Sequence, residues 1–272
     1  MKNGSLKRKA VWRNPVKDKL ARGESVFGGV VTVNNVEIAA QMAALGFDFL
    51  WLEMEHSPVN LETVRNVVLA TRGLTAVPFA RPPVNQLWAA KRLLDAGVLG
   101  LMFPFTSDPA LARQAVAACR YPRPGLRGSG ADLATFRWPA PQGYYDFADS
   151  NVLVTTIIED IPGLESVEEI AATPGIDVIF IGTSDLSFAL GLRGDQQHRR
   201  VDQAVAKIVA AAKRSGKALG RPAGTLEQIR RYEKQGFRFF QTRTDTDLMA
   251  AGAEQLLRPL GRKRQFSVGG GL

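Results

Sequence analysis

One cysteine, Cys119, stands in the 272 residues, so no internal disulfide can form and the fold must hold by its own core. Cys119 falls in an alanine-rich helical pattern, where a buried, inert thiol is expected rather than a nucleophile. No run of about 18 apolar residues occurs, which argues against a membrane-spanning helix. The N-terminus is polar where a secretory leader needs an apolar stretch, and a cytoplasmic protein is expected. No Gly-x-Gly-x-x-Gly follows the first strand pattern, so the dinucleotide-binding fingerprint is missing. Internal repeats are also missing, and the only low-complexity piece is the glycine run at 269–271.

The formal charge of +9 suggests an anionic partner until it is located. Residues 1–22 hold eight basic side chains against Asp18 alone, and residues 258–272 hold Arg258, Arg262, Lys263 and Arg264 with no acid. The body between them is slightly acidic. The ends therefore read as solvated, with nucleic acid not expected as a partner. Three segments follow: a basic extension (1–22), one folded domain (23–261) and a flexible tail (262–272).

From residue 26 the chain alternates short β-branched or aromatic runs with longer stretches of three- and four-residue apolar spacing. Eight strands are predicted, at 26–33, 47–55, 76–81, 98–105, 152–159, 176–182, 218–222 and 237–242. Most of the helical stretches that follow them end at a glycine: Gly46, Gly73, Gly97, Gly175, Gly216, Gly236 and Gly261 fall where a left-handed C-cap is wanted. Strands apolar on both faces, each followed by a helix, imply a parallel sheet covered by helices. Eight such units favour a single-domain α/β fold closed as a TIM (β/α)8 barrel, with an open doubly wound sheet as the competitor. Residues 121–151 break the pattern and read as a functional or subunit-contacting loop.

In such a barrel the chemistry sits at the C-terminal strand ends. There the second strand finishes in Glu53, Glu55 and His56, the third in Arg81, the fifth in Glu159 and Asp160, and the sixth runs into Ser184 and Asp185. Glu159 and Asp185 suit a hard divalent cation, with an N-cap acid and a solvated loop acid as the alternatives. His56, beside carboxylates, suits a general base or a hydrogen-bonded loop histidine. Arg81, on the stiff turn set by Pro82 and Pro83, suits a carboxylate clamp or a structural ion pair.

Six segments in this order carry a resemblance: FDFLWLEMEHSP (47–58), FARPPVN (79–85), AKRLLDAGVLGLMFP (90–104), CRYPRPGLRGSG (119–130), IIED (157–160) and FIGTSDLS (180–187). The chain resembles, over about residues 25–255, the HpcH/HpaI aldolases, metal-dependent class II pyruvate aldolases related to the citrate lyase β-subunit. The resemblance implies that Glu159 and Asp185 bind the cation (Mg²⁺, Mn²⁺ or Co²⁺), with Arg81 steadying an enolate oxygen. It implies that His56, paired with Glu53, moves the proton. Gly182, Thr183 and Ser184 would line the acid end of the substrate. The implied reaction is reversible aldol cleavage of a 4-hydroxy-2-oxo acid to pyruvate, or a related 2-oxo acid, and an aldehyde. A homo-oligomer, a hexamer made as a trimer of dimers, is also implied.

Three positions depart from the family pattern. Glu53 stands where an aspartate is usual, Ile157 where a glutamine is common, and Gly182-Thr183-Ser184-Asp185 where Gly-Pro-x-Asp is frequent. They keep two other functions open: oxaloacetate decarboxylation or enolate–acyl condensation on the same barrel. A non-catalytic ligand-binding barrel is a third.

Overall fold

The structure, a computed structural model, describes residues 12–138, 140–141 and 143–263. Its strands are β1 (Val26–Val31), β2 (Phe49–Glu53), β3 (Val77–Arg81), β4 (Gly100–Phe103), β5 (Leu153–Ile158), β6 (Val178–Ile181), β7 (Ala218–Pro222) and β8 (Phe237–Thr244). The helices are α1 (Pro15–Ala21), α2 (Val36–Ala43), α3 (Leu61–Ala70), α4 (Leu87–Ala96), α5 (Pro109–Ala118), α6 (Asp132–Arg137) and α7 (Tyr144–Asn151). They continue as α8 (Ile161–Glu165), α9 (Val167–Ala172), α10 (Thr183–Ala189), α11 (Arg199–Arg214), α12 (Leu226–Gln235) and α13 (Asp245–Leu257). Every strand pairs in parallel with its sequence neighbours, and β8 returns to β1, so the sheet closes as an eight-stranded barrel and the open-sheet alternative falls. All seven glycines expected at left-handed positions have positive φ. Among the described residues no helix is long and apolar enough to cross a membrane.

The barrel interior is aromatic, and glycines on neighbouring strands make the room for it. Phe49 stacks on Phe79 (centroids 5.0 Å apart) and on Phe239 (4.6 Å), while Trp51 packs on Phe180 at 5.2 Å. A Cβ on Gly28 would lie 2.1 Å from the Phe49 ring, and one on Gly100 2.4 Å from the Phe79 ring. Side chains alternate along a strand with period two, so the positions that carry Phe49 and Trp51 inward also carry Glu53 inward one step higher. The same parity links Phe79 to Arg81, Ile157 to Glu159 and Phe180 to Gly182, with Ile157 registered against Phe180 on the adjacent strand. Packing at the middle of the barrel thus fixes which side chains reach its mouth.

The N-terminal end is closed by α1, so the reading of the basic N-terminus as solvated is corrected for Lys17 and Lys19 in this helix. Asn14, 1% exposed, donates through Nδ2 to the carbonyls of Leu99 (3.2 Å) and Asn151 (2.8 Å). Lys17 pairs with Asp177 at 3.1 Å and Lys19 with Asp48 at 2.6 Å, so these cations are bound to acids that precede β6 and β2. Residues 1–11 and 264–272, which hold the rest of the basic ends, lie outside the described residues.

Segment 121–151 is likewise no plain loop. It carries α6 and α7, and the Arg137 guanidinium donates to Val68 O and Thr71 O, both at 2.8 Å, capping the C-terminal carbonyls of α3. The helical stretch after β5 is divided at Ser166 into α8 and α9. Helix α13 is tethered at its start, where Asp245 accepts from Thr32 N (2.9 Å) and Val33 N (2.8 Å), yet Met249, Leu256 and Leu260 beyond it are each 69% exposed.

Candidate active site

Strand β2 delivers Glu53 to the barrel mouth as its last residue, buried to 3% exposure. Burial of a carboxylate is tolerable only where it is paired and hydrogen-bonded. Here Oε2 accepts from Trp51 Nε1 (3.0 Å) and Arg81 Nε (2.6 Å), and Oε1 accepts from the amides of Glu55 (2.7 Å) and His56 (3.1 Å). Glu53 therefore folds the 53–56 turn over itself. It does not touch the His56 imidazole, contrary to the pairing expected of an aspartate–histidine type dyad.

Arg81 ends β3 opposite Glu53, in register with it. Its Nη1 lies 2.8 Å from Glu55 Oε2, so one guanidinium is held between two glutamates, above the Trp51 ring at 5.8 Å. Among the described residues Nη2 makes no hydrogen bond. The imidazole of His56 is 61% exposed, with Nε2 3.6 Å from Glu55 Oε2. Burial is the main force raising the Glu55 carboxyl above its ordinary range, opposed by the charges of Arg81 and His56.

Glu159 follows β5 directly and is buried to 2% exposure. Burial pushes its pKa up to about 7, against the pull of the Phe105 amide, which donates to Oε1 at 2.7 Å; Glu55 and Asp185 add like-charge repulsion. Phe105 holds φ at 42°, a strained setting for a non-glycine residue that turns its N–H onto Glu159. Asp185 lies in the first turn of α10, three residues after Gly182, the residue that is the helix N-cap; Asp185 is not the cap itself. The two acids thus come from the ends of paired strands, β5 and β6, within electrostatic reach of each other.

These residues fit a divalent cation. A buried acid held near neutrality, with carboxylates close by, is a charge deficit that a cation relieves. The donors are oxygens, as Mg²⁺ and Mn²⁺ prefer. Among the described residues no three acidic, histidine or cysteine side chains form a metal-holding group, and a cation that keeps several waters needs no more than one or two protein carboxylates.

Gly182 lies against Glu159: a Cβ there would fall 2.5 Å from Glu159 Oε2. Thr183 is buried and its hydroxyl donates to Gln196 Oε1 at 2.6 Å, so it ties down the loop after α10 instead of facing the mouth. Ser184 is exposed, and no side chain caps the first-turn amides of α10. His198 caps the start of α11, its Nδ1 accepting from Arg200 N at 3.1 Å. Cys119 is buried and its thiol is pushed up to about 12 by burial, as an inert thiol should be. A cavity of about 750 Å³ lined by Trp12, Lys19, Arg72, Arg137 and Trp138 lies at the opposite end of the barrel and contains none of the predicted site residues.

The Phe105 amide, the Trp51 indole and the bridging position of Glu55 were not among the features expected from the sequence. The first is a backbone group and leaves no trace in side-chain chemistry. Trp51 could have been read from parity with Glu53, two residues on.

Fold and site together define a β/α-barrel carbon–carbon lyase. The chain belongs to the HpcH/HpaI aldolase/citrate lyase family, whose family model matches residues 29–251. It is 34% identical over 261 residues to a 4-hydroxy-2-oxo-heptane-1,7-dioate aldolase of Salmonella paratyphi A, covering 96% of this chain and 99% of that protein. It is 33% identical over 255 residues to a hydroxypyruvate/pyruvate aldolase of Paraburkholderia phytofirmans, covering 92% and 98%. Among solved structures, a HpcH/HpaI aldolase/citrate lyase family protein from Burkholderia cenocepacia J2315 superposes with a TM-score of 0.84 at 32% identity, covering 92% of this chain and 100% of that one.

Proposed function

We propose that this enzyme is a divalent-metal-dependent aldolase of the cytoplasm that cleaves 4-hydroxy-2-oxo acids reversibly to pyruvate, or a related 2-oxo acid, and an aldehyde. The observation that carries the reading is the gathering of Arg81, His56, Glu159 and Asp185 at the C-terminal ends of four barrel strands. A cation held by Glu159 and Asp185 would supply Lewis-acid polarisation of the oxo group. The uncapped amides at Thr183 and Ser184 suit the substrate carboxylate. His56 takes the proton from the C4 hydroxyl as the C3–C4 bond breaks, releasing the aldehyde and leaving the electron pair as an enolate. Arg81 Nη2, with Nε and Nη1 held by glutamates, donates to the enolate oxygen, and protonation at C3 completes pyruvate.

The test offers the full chain a 4-hydroxy-2-oxo acid with Mg²⁺, Mn²⁺ or Co²⁺, with oxaloacetate in parallel, and scores pyruvate. Release from the aldol that disappears with chelator is expected; release from oxaloacetate alone would replace aldol cleavage by decarboxylation. A second readout is thermal: a cation at about 100 times its Kd stabilises by roughly 2.7 kcal/mol. Glu159→Gln and Asp185→Asn should abolish that rise in Tm.

A further inference from the structure

Glu53 has no acceptor capacity to spare. A carboxylate offers about four lone-pair positions, and Glu53 receives four donors: Trp51 Nε1 at 3.0 Å, Arg81 Nε at 2.6 Å, and the Glu55 and His56 amides at 2.7 and 3.1 Å. The imidazole could reach it only by displacing one of them. Glu55 is the reverse case. Its Oε2 is buried without a well-formed hydrogen bond, 2.8 Å from Arg81 Nη1 in ion-pair contact only, and 3.6 Å from His56 Nε2. Among the described residues Glu55 is the one carboxylate within ion-pair distance of the imidazole, and the exposed ring has room to rotate onto it.

We infer that Glu55, not Glu53, is the positioning residue for His56, and that its single oxygen Oε2 sets the imidazole and the Arg81 guanidinium together. The inference rests on reading His56 as the base. Glu53, with a side chain one methylene longer than aspartate, instead anchors the turn and Arg81 Nε. The division of labour has a mechanical consequence: moving Oε2 disturbs both the group that handles the proton and the group that faces the enolate oxygen.

The chain has only two histidines, so the imidazole C2–H protons can be followed by NMR on the full chain with Mg²⁺, His56→Ala assigning the resonance and His198 serving as an internal control. Three groups bear on the ring: Glu55 by direct contact, Arg81 through Glu55, and Glu53 through the His56 amide. Glu55→Gln is expected to move the His56 titration midpoint down, because a carboxylate beside the ring is removed. Glu53→Gln should move it less, and neither should move His198. In the same variant kcat should fall on the order of ten- to a hundredfold with KM little changed. Glu55→Asp, which keeps the charge but withdraws the oxygen, should give a smaller midpoint shift.

A midpoint unmoved by both Glu55 variants, or moved more by Glu53→Gln, overturns the assignment. Full activity in His56→Ala would overturn the base reading on separate grounds, since the midpoints still report which glutamate faces the ring.

Discussion

Gly182 sits so close to Glu159 that a methyl group in its place would lie 2.5 Å from Oε2 and 2.7 Å from Cβ of the glutamate. The contact is with the root of the side chain as well as its tip, so rotation of the carboxylate alone cannot clear it. Gly182→Ala should displace Glu159 and weaken divalent-cation binding by about 10- to 100-fold, the range for disturbing support around a ligand. Calorimetric titration with Mn²⁺ checks this; unchanged affinity would remove Glu159 from the proposed cation site.

Arg81 is gripped at Nε by Glu53 and at Nη1 by Glu55. Lysine brings one ammonium and no fork, so it cannot keep both contacts and still face the substrate. Arg81→Lys should lower kcat by about 10²- to 10³-fold with a small change in KM. Steady-state kinetics on the same aldol substrate decides it. A rise in KM alone would assign Arg81 to ground-state binding.

Asn14 is buried beneath the barrel and satisfies two main-chain carbonyls, Leu99 and Asn151. Asn14→Ala leaves both without that donor and should cost about 1 to 3 kcal/mol. Urea denaturation should show a lower midpoint at constant slope. No loss would return α1 to the status of a dispensable extension.

At the end of α13 and in the turn that follows it (Arg258–Leu260), Leu256 and Leu260 are each 69% exposed, an apolar surface of the kind that subunit contacts cover. We propose a homo-oligomer that uses this face. Light scattering should find the full chain assembled, and Leu256→Asp with Leu260→Asp should yield smaller species. A wild-type monomer would end the proposal.

Much of the barrel could be read before the fold was known. Alternation between strand and helix patterns, with glycines Gly97 and Gly236 closing α4 and α12, depends on local chemistry that each segment carries with it. The strand-end acids were legible for a related reason: in apolar runs such as the one ending at Ile158, packing gives no cause for Glu159. The helices α6 and α7 were missed because Pro, Gly and Tyr in that stretch mask a weak period. Only docking, through contacts such as that of Trp138 Nε1 with Gly97 O at 2.7 Å, makes them worth forming.

The amino-acid order by itself determined the eight-unit fold and the residue types at the barrel mouth, because side-chain periodicity and strand-end polarity are properties of short segments. Which glutamate faces His56, which amide reaches Glu159 and whether basic residues near the N-terminus are bound or solvated were decided only in three dimensions. Each depends on how groups distant in the chain compete for the same few acceptors, and Glu53, already filled by four donors, shows how that competition turns out.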